Sequence, residues 1–256
     1  FAIKTREDWD RVKGSLLELD PGRVNVAESQ RVLEVGRRDQ RFTCFGHQFC
    51  IELMRATIGD RVMLPSLLLE PEWIHDMLRV WTDFFKRHYV YVFDTVGRPD
   101  GMWIYEDLGF TNGLFASPAT IRELMLPYYK ELIHLYKHDY GLPVLIHSCG
   151  DIRKAVPLMI EAGWDCLQPM EAKAGVDVLE LADTYGNALS YMGNINVQVL
   201  NTNDKAKVRA EVQRKMGGMI ERRMPYILHS DHSIPPDVRM ETYRYMLELH
   251  AEHGAY

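Results

Sequence analysis

The sequence predicts an α/β protein with a parallel sheet of the TIM-type (β/α) barrel class, and three observations support this. Short apolar runs alternate with amphipathic helical stretches, the pattern that produces a parallel sheet. Polar and titratable residues follow nearly every apolar run, which is where the active sites of such barrels lie. No glycine-rich nucleotide-binding turn follows any run, so a doubly wound sheet is disfavoured.

Six apolar runs are predicted strands, although a closed (β/α) barrel has eight; they are residues 42–45, 102–105, 144–147, 166–168, 189–192 and 226–228. Helical patterns lie near residues 47–58, 70–88, 118–139, 152–162, 176–185, 204–222 and 237–253. Ser117 before Pro118 is typical of a helix start, because serine caps the first turn and proline is tolerated in it. We expect Asp151 to cap the next helix, and Gly163 and Gly186 to end helices.

Composition favours one globular domain over residues 1–256, with 46% hydrophobic and 26% charged residues. The net charge is −6 and the basic residues are scattered, which argues against nucleic acid or an anionic membrane as the main partner. No apolar run reaches the roughly 18 residues of a membrane span. Phe1 leads directly into a charged run, which is unlike a signal peptide. Four cysteines are too few for a disulfide framework. We therefore expect a cytoplasmic protein, and from the start at Phe1 we expect a fragment or a trimmed chain.

The stretch VLIHSCGD, residues 144–151, ends a buried strand in a histidine and a cysteine. Side chains two residues apart in a strand point to the same side, so His147 and Cys149 are directed toward one point. A nitrogen and a sulfur ligand together suit zinc. The alternative is a core histidine beside a buried free thiol.

The other predicted strands also end in polar residues, namely His47, Glu106 with Asp107, Glu171, Asn194, and Asp231 with His232. In a barrel these positions converge on one mouth. Of the acidic pair, one residue is expected to ligate the metal or act as a general acid, and the other to cap a turn. His47 is expected either to bind substrate or to stand at a helix start.

Four segments carry a resemblance to a known family: IHSCGDI, GWDCLQPMEAKAGVDVLELADTYGN, YMGNINV and SDHSIPPDV. Together they resemble the uroporphyrinogen decarboxylase superfamily, and most closely its cobalamin-dependent methyltransferase branch, over essentially the whole chain. The resemblance implies a TIM (β/α) barrel of which this chain is the last six βα units. A preceding region would then supply the first two strands.

The resemblance also implies a metal site, because methyltransferases of this branch use the His-x-Cys pair and a later cysteine as zinc ligands. Here Ser230-Asp231-His232-Ser233 occupies the later position. His232 is therefore expected as the third ligand, with Asp231 orienting its imidazole or contacting substrate. Alternatively, His232 belongs to a substrate pocket, because the true decarboxylase also has a histidine near this point.

The function expected from this resemblance is zinc-dependent transfer of a methyl group between a small methylated compound and a corrinoid or thiol acceptor. The corrinoid would be carried by a partner protein, and a site with one thiolate favours O-demethylation of a methoxy compound. The expected catalytic residues are Glu171, Glu106 and Asp107, and the expected substrate contacts are His47, Tyr105, Asn194 and Asp231. The alternatives are a tetrapyrrole decarboxylase and a non-enzymatic metal- or corrinoid-binding protein.

Overall fold

A computed structural model describes residues 3–16 and 18–254. The α-helices, numbered α1 to α13, are Arg6–Leu16, Val26–Arg38, Cys50–Ile58, Asp60–Leu69, Pro71–Thr95, Pro118–Leu124, Leu126–His134, Val156–Ala162, Val178–Tyr185, Val197–Asn201, Lys205–Val212, Gly218–Glu221 and Met240–His253. The strands, numbered β1 to β8, are Cys44–Gln48, Gly101–Tyr105, Gly109–Phe110, Gly113–Leu114, Val144–Ser148, Cys166–Pro169, Ser190–Met192 and Tyr226–Ile227.

Six strands form one sheet in the order β1-β2-β5-β6-β7-β8. The pairs β1–β2, β6–β7 and β7–β8 are parallel, with Cys44 opposite Gly101, Cys166 opposite Ser190, and Tyr191 opposite Tyr226. Strands β3 and β4 form a separate antiparallel hairpin. The predicted α/β class and the six predicted strands are therefore confirmed.

The chain divides into two compact units. The first comprises Phe1–Glu106, Ala116–Leu145 and Glu161–Trp164, and the second comprises Asp107–Phe115, Ile146–Ile160 and Asp165–Tyr256. That residues 1–256 form a single domain stays a prediction. None of the helices in the described part of the chain is long and apolar enough to cross a membrane.

In the first unit, the structure contains helices that the sequence pattern did not predict, namely α1, α2 and α4. Helix α1 is strongly charged and is anchored to Asp76 through two residues. Trp9 is fully buried and its indole nitrogen donates to the Asp76 carboxylate at 2.6 Å, and the Lys13 ammonium lies 3.0 Å from the same carboxylate. Helix α4 contains Pro65, which normally weakens a helix interior. Helix α4 therefore depends on tertiary contacts that local periodicity does not reveal.

The first strand begins and ends later than predicted. Residues 42–45 were expected, whereas β1 runs from Cys44 to Gln48 and Phe42 is 61% exposed. Gly46 permits the close pairing with β2, because a Cβ there would lie 2.4 Å from the Trp103 carbonyl oxygen. As a result, His47 lies inside a strand rather than after it, and the next helix begins at Cys50.

Two other local predictions have different outcomes. Ser117 caps α6 as predicted by accepting the Thr120 N–H, and Gly163 and Gly186 follow helix ends at positive φ. Asp151 does not cap α8, which begins only at Val156. Its carboxylate pairs instead with the Arg153 guanidinium at 2.8 Å.

Candidate metal centre

The end of β5 in the second unit brings together three side chains with metal-ligating atoms. His147 Nε2 lies 3.4 Å from Cys149 Sγ, which agrees with the two side chains pointing to the same side. Asp107 Oδ1 lies 3.6 Å from the same nitrogen. These three ligand atoms all lie within 4.8 Å of one another, and they are the one such group of three or more found among residues 3–16 and 18–254.

The separations within this group suit a zinc ion. With zinc bonds of ordinary length, a tetrahedral centre places nitrogen and sulfur ligands about 3.5 Å apart, and nitrogen and oxygen ligands about 3.3 Å apart. The observed distances of 3.4 Å and 3.6 Å are within a few tenths of an ångström of these values. Imidazole, thiolate and carboxylate are all zinc ligands, and three of them leave a fourth position for a substrate.

Asp107 is held in this position by hydrogen bonds to the loop that follows β5. Its Oδ1 accepts the Cys149 N–H at 2.8 Å. The next residue, Leu108, donates its N–H to the Ser148 hydroxyl at 3.1 Å. The carboxylate therefore faces the His147–Cys149 pair, because the backbone of the following residue, Leu108, is bound to Ser148 between them.

Gly109 and Gly150 allow the β3–β4 hairpin and the loop after β5 to touch through their backbones. Gly150 has φ +81°, and a Cβ there would lie 2.4 Å from the Gly109 carbonyl carbon. Close by, the Asp151 N–H donates to the Phe110 carbonyl at 2.9 Å. This approach needs two residues without side chains, and it keeps Asp107 beside Cys149.

The Cys149 thiol is protonated in the absence of a cation. Burial raises its pKa to about 12, and the negative charges of Asp107 and Glu171 act in the same direction, opposed by Lys173. A bound metal ion must displace this proton to obtain the thiolate ligand. Binding of a divalent cation would therefore release a proton.

Glu171, an expected catalytic residue, lies beside the same loop and is almost fully buried. Its Oε2 accepts the Gly150 N–H at 2.6 Å, and its Oε1 lies 2.9 Å from the Lys173 ammonium. The hydrogen bond to Glu171 raises the pKa of Lys173. Glu171 thus fixes the loop that carries Cys149, while its predicted role in proton transfer stays a prediction.

Asp231 and His232 occupy the position of the expected third ligand, and the first is buried whereas the second is exposed. Asp231 is fully buried, and its two oxygens accept the N–H groups of Ala172 at 2.9 Å and Val197 at 2.8 Å. These contacts join two backbone segments, and orientation of an imidazole or contact with substrate stays a prediction for Asp231. His232 is exposed and is not in the described group of ligand atoms. Its role as the third ligand stays a prediction, and Asp107 stands in the group in its place.

Asn194, an expected substrate contact, is fully buried at φ +68°. Its side-chain nitrogen donates to the carbonyl oxygens of Met170 and Val176, and its side-chain oxygen accepts the Val178 N–H at 3.0 Å. These contacts describe an amide that holds the loop after β6. Contact with substrate is therefore still only a prediction for this residue.

In the first unit, Glu106 directly follows β2, is fully buried and contacts the first turn of α3. Its Oε1 accepts the Ile51 N–H at 3.0 Å and the Tyr129 hydroxyl, and its Oε2 has no hydrogen-bond partner among the described residues. Burial raises the pKa of this carboxyl well above its usual range. Of the acidic pair, Glu106 accepts a backbone N–H at a helix start and Asp107 belongs to the group of ligand atoms. The predicted catalytic roles of both residues stay predictions.

The remaining expected substrate contacts also belong to the first unit. His47 stacks on Phe85 with ring centres 3.9 Å apart, and its Nε2 is 3.0 Å from the Tyr136 hydroxyl. Burial lowers the pKa of His47 to about 4, so its imidazole is neutral at pH 7. Tyr105 is 46% exposed. The described contacts of His47 are those of a packed aromatic cluster.

Gln168, to which the sequence pattern assigns no role, contacts His147 on its other side. His147 Nδ1 is hydrogen bonded to the Gln168 side-chain oxygen. The available signal is strand periodicity, because Gln168 is the last residue but one of a buried strand, just as His147 is. Periodicity alone could not show that the two side chains meet.

Comparisons with known proteins identify a family and a fold. The family model for uroporphyrinogen decarboxylase matches residues 54–253. Among solved structures, the chain is similar to a methyltransferase from Methanosarcina mazei, with a TM-score of 0.70 and 14% sequence identity over 89% of this chain and 64% of that chain. No curated protein matches. At this identity the structural likeness bears on the fold alone, and it supports the predicted TIM-barrel class.

Glu106→Gln should make the protein more stable at high pH. The Glu106 carboxyl has a pKa near 4.5 in the unfolded chain and a raised pKa in the folded chain. At pH values between these two, the unfolded chain has lost the proton of this carboxyl and the folded chain keeps it. Wild-type stability therefore falls as pH rises, by at most about 1.4 kcal/mol per pH unit from this group. Urea unfolding from pH 5 to pH 8 should show the advantage of the glutamine variant growing with pH. The exposed Glu123→Gln serves as the control, and equal pH profiles for both variants would contradict the prediction.

Gly150→Ala should cost more stability than Gly175→Ala, although both glycines have nearly the same positive φ of +81° and +83°. A Cβ at position 175 meets only the Arg153 guanidinium at 3.8 Å, whereas at position 150 it meets backbone. We expect an additional loss of about 1–3 kcal/mol in the free energy of unfolding. Chemical denaturation of both variants measures the difference, and equal losses would show that the close backbone approach is unimportant.

Proposed function

The chain belongs to the uroporphyrinogen decarboxylase family, and we propose that it acts there as a metal-dependent methyltransferase. The proposed reaction moves a methyl group between a small methylated compound and a corrinoid or thiol acceptor. The observation that carries this proposal is the group formed by Asp107, His147 and Cys149, whose atoms and spacing suit a catalytic zinc. The similarity of the fold to a methyltransferase is consistent with it.

In this proposal, Asp107, His147 and Cys149 hold the zinc ion. When bound, zinc supplies a Lewis acid that activates a thiol or polarises an ether oxygen at the open position. Cys149 gives up its proton on metal binding, and Asp107 stays aligned through its hydrogen bond from the Cys149 N–H. Glu171 keeps the loop in place through Gly150 and is the proposed acceptor or donor of the proton that moves with the methyl transfer.

The ligand set also supports a proposal about the substrate. One thiolate with an imidazole and a carboxylate makes a harder site than two thiolates, and hard centres favour oxygen ligands. We therefore propose O-demethylation of a methoxy compound, with the methyl group passed to a corrinoid carried by a partner protein. The alternative reaction, decarboxylation of a tetrapyrrole, calls for several cations to pair its carboxylates. Near this loop, Lys173 and Arg153 are each paired with a carboxylate of the chain.

Asp107→Asn should weaken zinc binding by at least about 100-fold, because loss of a ligand exceeds the effect of losing an outer hydrogen-bond partner. The control is His232→Ala, which removes an exposed histidine outside the described group of ligand atoms. Elemental analysis and titration against a chromophoric chelator measure both variants. If His232→Ala loses zinc and Asp107→Asn retains it, the third ligand is His232, as the sequence predicts.

Cob(I)alamin, generated beforehand with a chemical reductant, should be converted to methyl-Co(III) when the protein, zinc and a methoxy substrate are present, with the demethylated oxygen taking up a proton. The visible spectrum records this change, and His147→Ala should abolish it through loss of the metal. Glu171→Gln should slow the transfer at least about tenfold while zinc stays bound, if this residue handles the proton. Release of carbon dioxide from uroporphyrinogen, without any spectral change in cobalamin, would replace the proposal with the decarboxylase reaction.

A further inference from the structure

Gln168 contacts the face of His147 that points away from the candidate metal centre. It is the last residue but one of β6 and is almost fully buried, and its side-chain oxygen is hydrogen bonded to His147 Nδ1. The other ring nitrogen, Nε2, is the one that lies 3.4 Å from Cys149 Sγ and 3.6 Å from Asp107 Oδ1. Each nitrogen of the imidazole therefore has a distinct environment.

The chemistry of an amide oxygen determines where the imidazole proton lies. A carbonyl oxygen only accepts hydrogen bonds, so Nδ1 must carry the hydrogen in this contact. A neutral imidazole protonated at Nδ1 has its lone pair at Nε2. That lone pair faces the Cys149 sulfur and the Asp107 carboxylate, as a metal ligand must.

We propose that Gln168 is a positioning residue, which fixes the Nδ1–H tautomer and the ring orientation of His147 so that Nε2 serves as the metal ligand. This inference rests on the proposed function of the centre. Gln168 does not touch the metal position itself, and it acts through His147. Outer hydrogen-bond partners of this kind orient ligating histidines in metal sites generally.

The neutral amide has a consequence that a carboxylate at the same place would not have. The surroundings of Cys149 already include the negative charges of Asp107, Glu171 and Asp231, against the positive charge of Lys173. Gln168 orients His147 without adding another negative charge. Because a more basic ligand donates more charge to its metal, the amide leaves the bound ion a stronger Lewis acid, which suits activation of an ether oxygen.

Backbone pairing in the sheet fixes the position of Gln168. Its two predecessors in β6 pair with β7, Cys166 with Ser190 and Leu167 with Tyr191. The following backbone is fixed as well, because the Asn194 N–H donates to the Pro169 carbonyl at 2.8 Å. The glutamine side chain therefore extends from a backbone that is bound on both sides of it.

The test compares Gln168→Leu with Gln168→Glu. Leucine has a similar volume but no acceptor, and we expect zinc affinity to fall about 10- to 100-fold. Glutamate restores the acceptor, and affinity should return to the wild-type value or above it. The exposed Gln198→Leu is the matched control and should leave affinity unchanged. Chelator competition gives the affinity, and urea unfolding checks that the folded state persists.

A second readout separates this inference from the proposed function. Nitrogen-15 NMR of the metal-free protein above pH 7 should show His147 protonated at Nδ1 in wild type, and mainly at Nε2 in Gln168→Leu. Wild-type protein that binds no zinc but shows this tautomer change would defeat the proposed function and leave the positioning role standing. In a wild type that binds zinc, unchanged zinc affinity in Gln168→Leu, or failure of Gln168→Glu to restore affinity, would overturn the inference. An unchanged tautomer in Gln168→Leu would overturn it whether or not zinc binds.

Discussion

The hydrogen bond from the Cys149 N–H to the Asp107 carboxylate is the contact on which the candidate metal centre depends. It fixes a carboxylate beside the His147–Cys149 pair and gives a partner to a backbone group that would otherwise be unpaired. A hydrogen bond to a charged group contributes about 1.5–3 kcal/mol, so this single contact is large against the net stability of a domain. The Asp107 side chain therefore stabilises the loop after β5 and also belongs to the candidate metal centre.

The same kind of contact recurs where other strands end. Glu171 accepts the Gly150 N–H, and Asp231 accepts the N–H groups of Ala172 and Val197. Within the first unit, Glu106 accepts the Ile51 N–H in the same way. Loops after parallel strands carry backbone groups without ladder partners, and carboxylates satisfy them with strong bonds. Acidic residues at strand ends are therefore poor evidence of catalysis when taken alone.

This pattern explains which features of the fold and of the site the sequence could predict and which it could not. The six strands and the His147–Cys149 pair follow from local periodicity, which is a property of neighbours along the chain. The choice between Asp107 and His232 as third ligand, and the contact of Gln168 with His147, depend on which loops meet, and this is decided by backbone hydrogen bonds between distant residues. The shift of β1 has a similar cause, since Gly46 fits against the Trp103 carbonyl only through the pairing with β2.

The β3–β4 hairpin and the loop that carries Cys149 pack directly against each other through the backbones of Gly109 and Gly150. No side chain lies between the two segments to absorb a displacement, and the Asp151–Phe110 hydrogen bond couples them further. The hairpin carries Phe110, whose ring is 44% exposed. A displacement of the loop that carries Cys149 would therefore have to move this exposed ring as well, although the ring itself is no part of the half-buried ligand group.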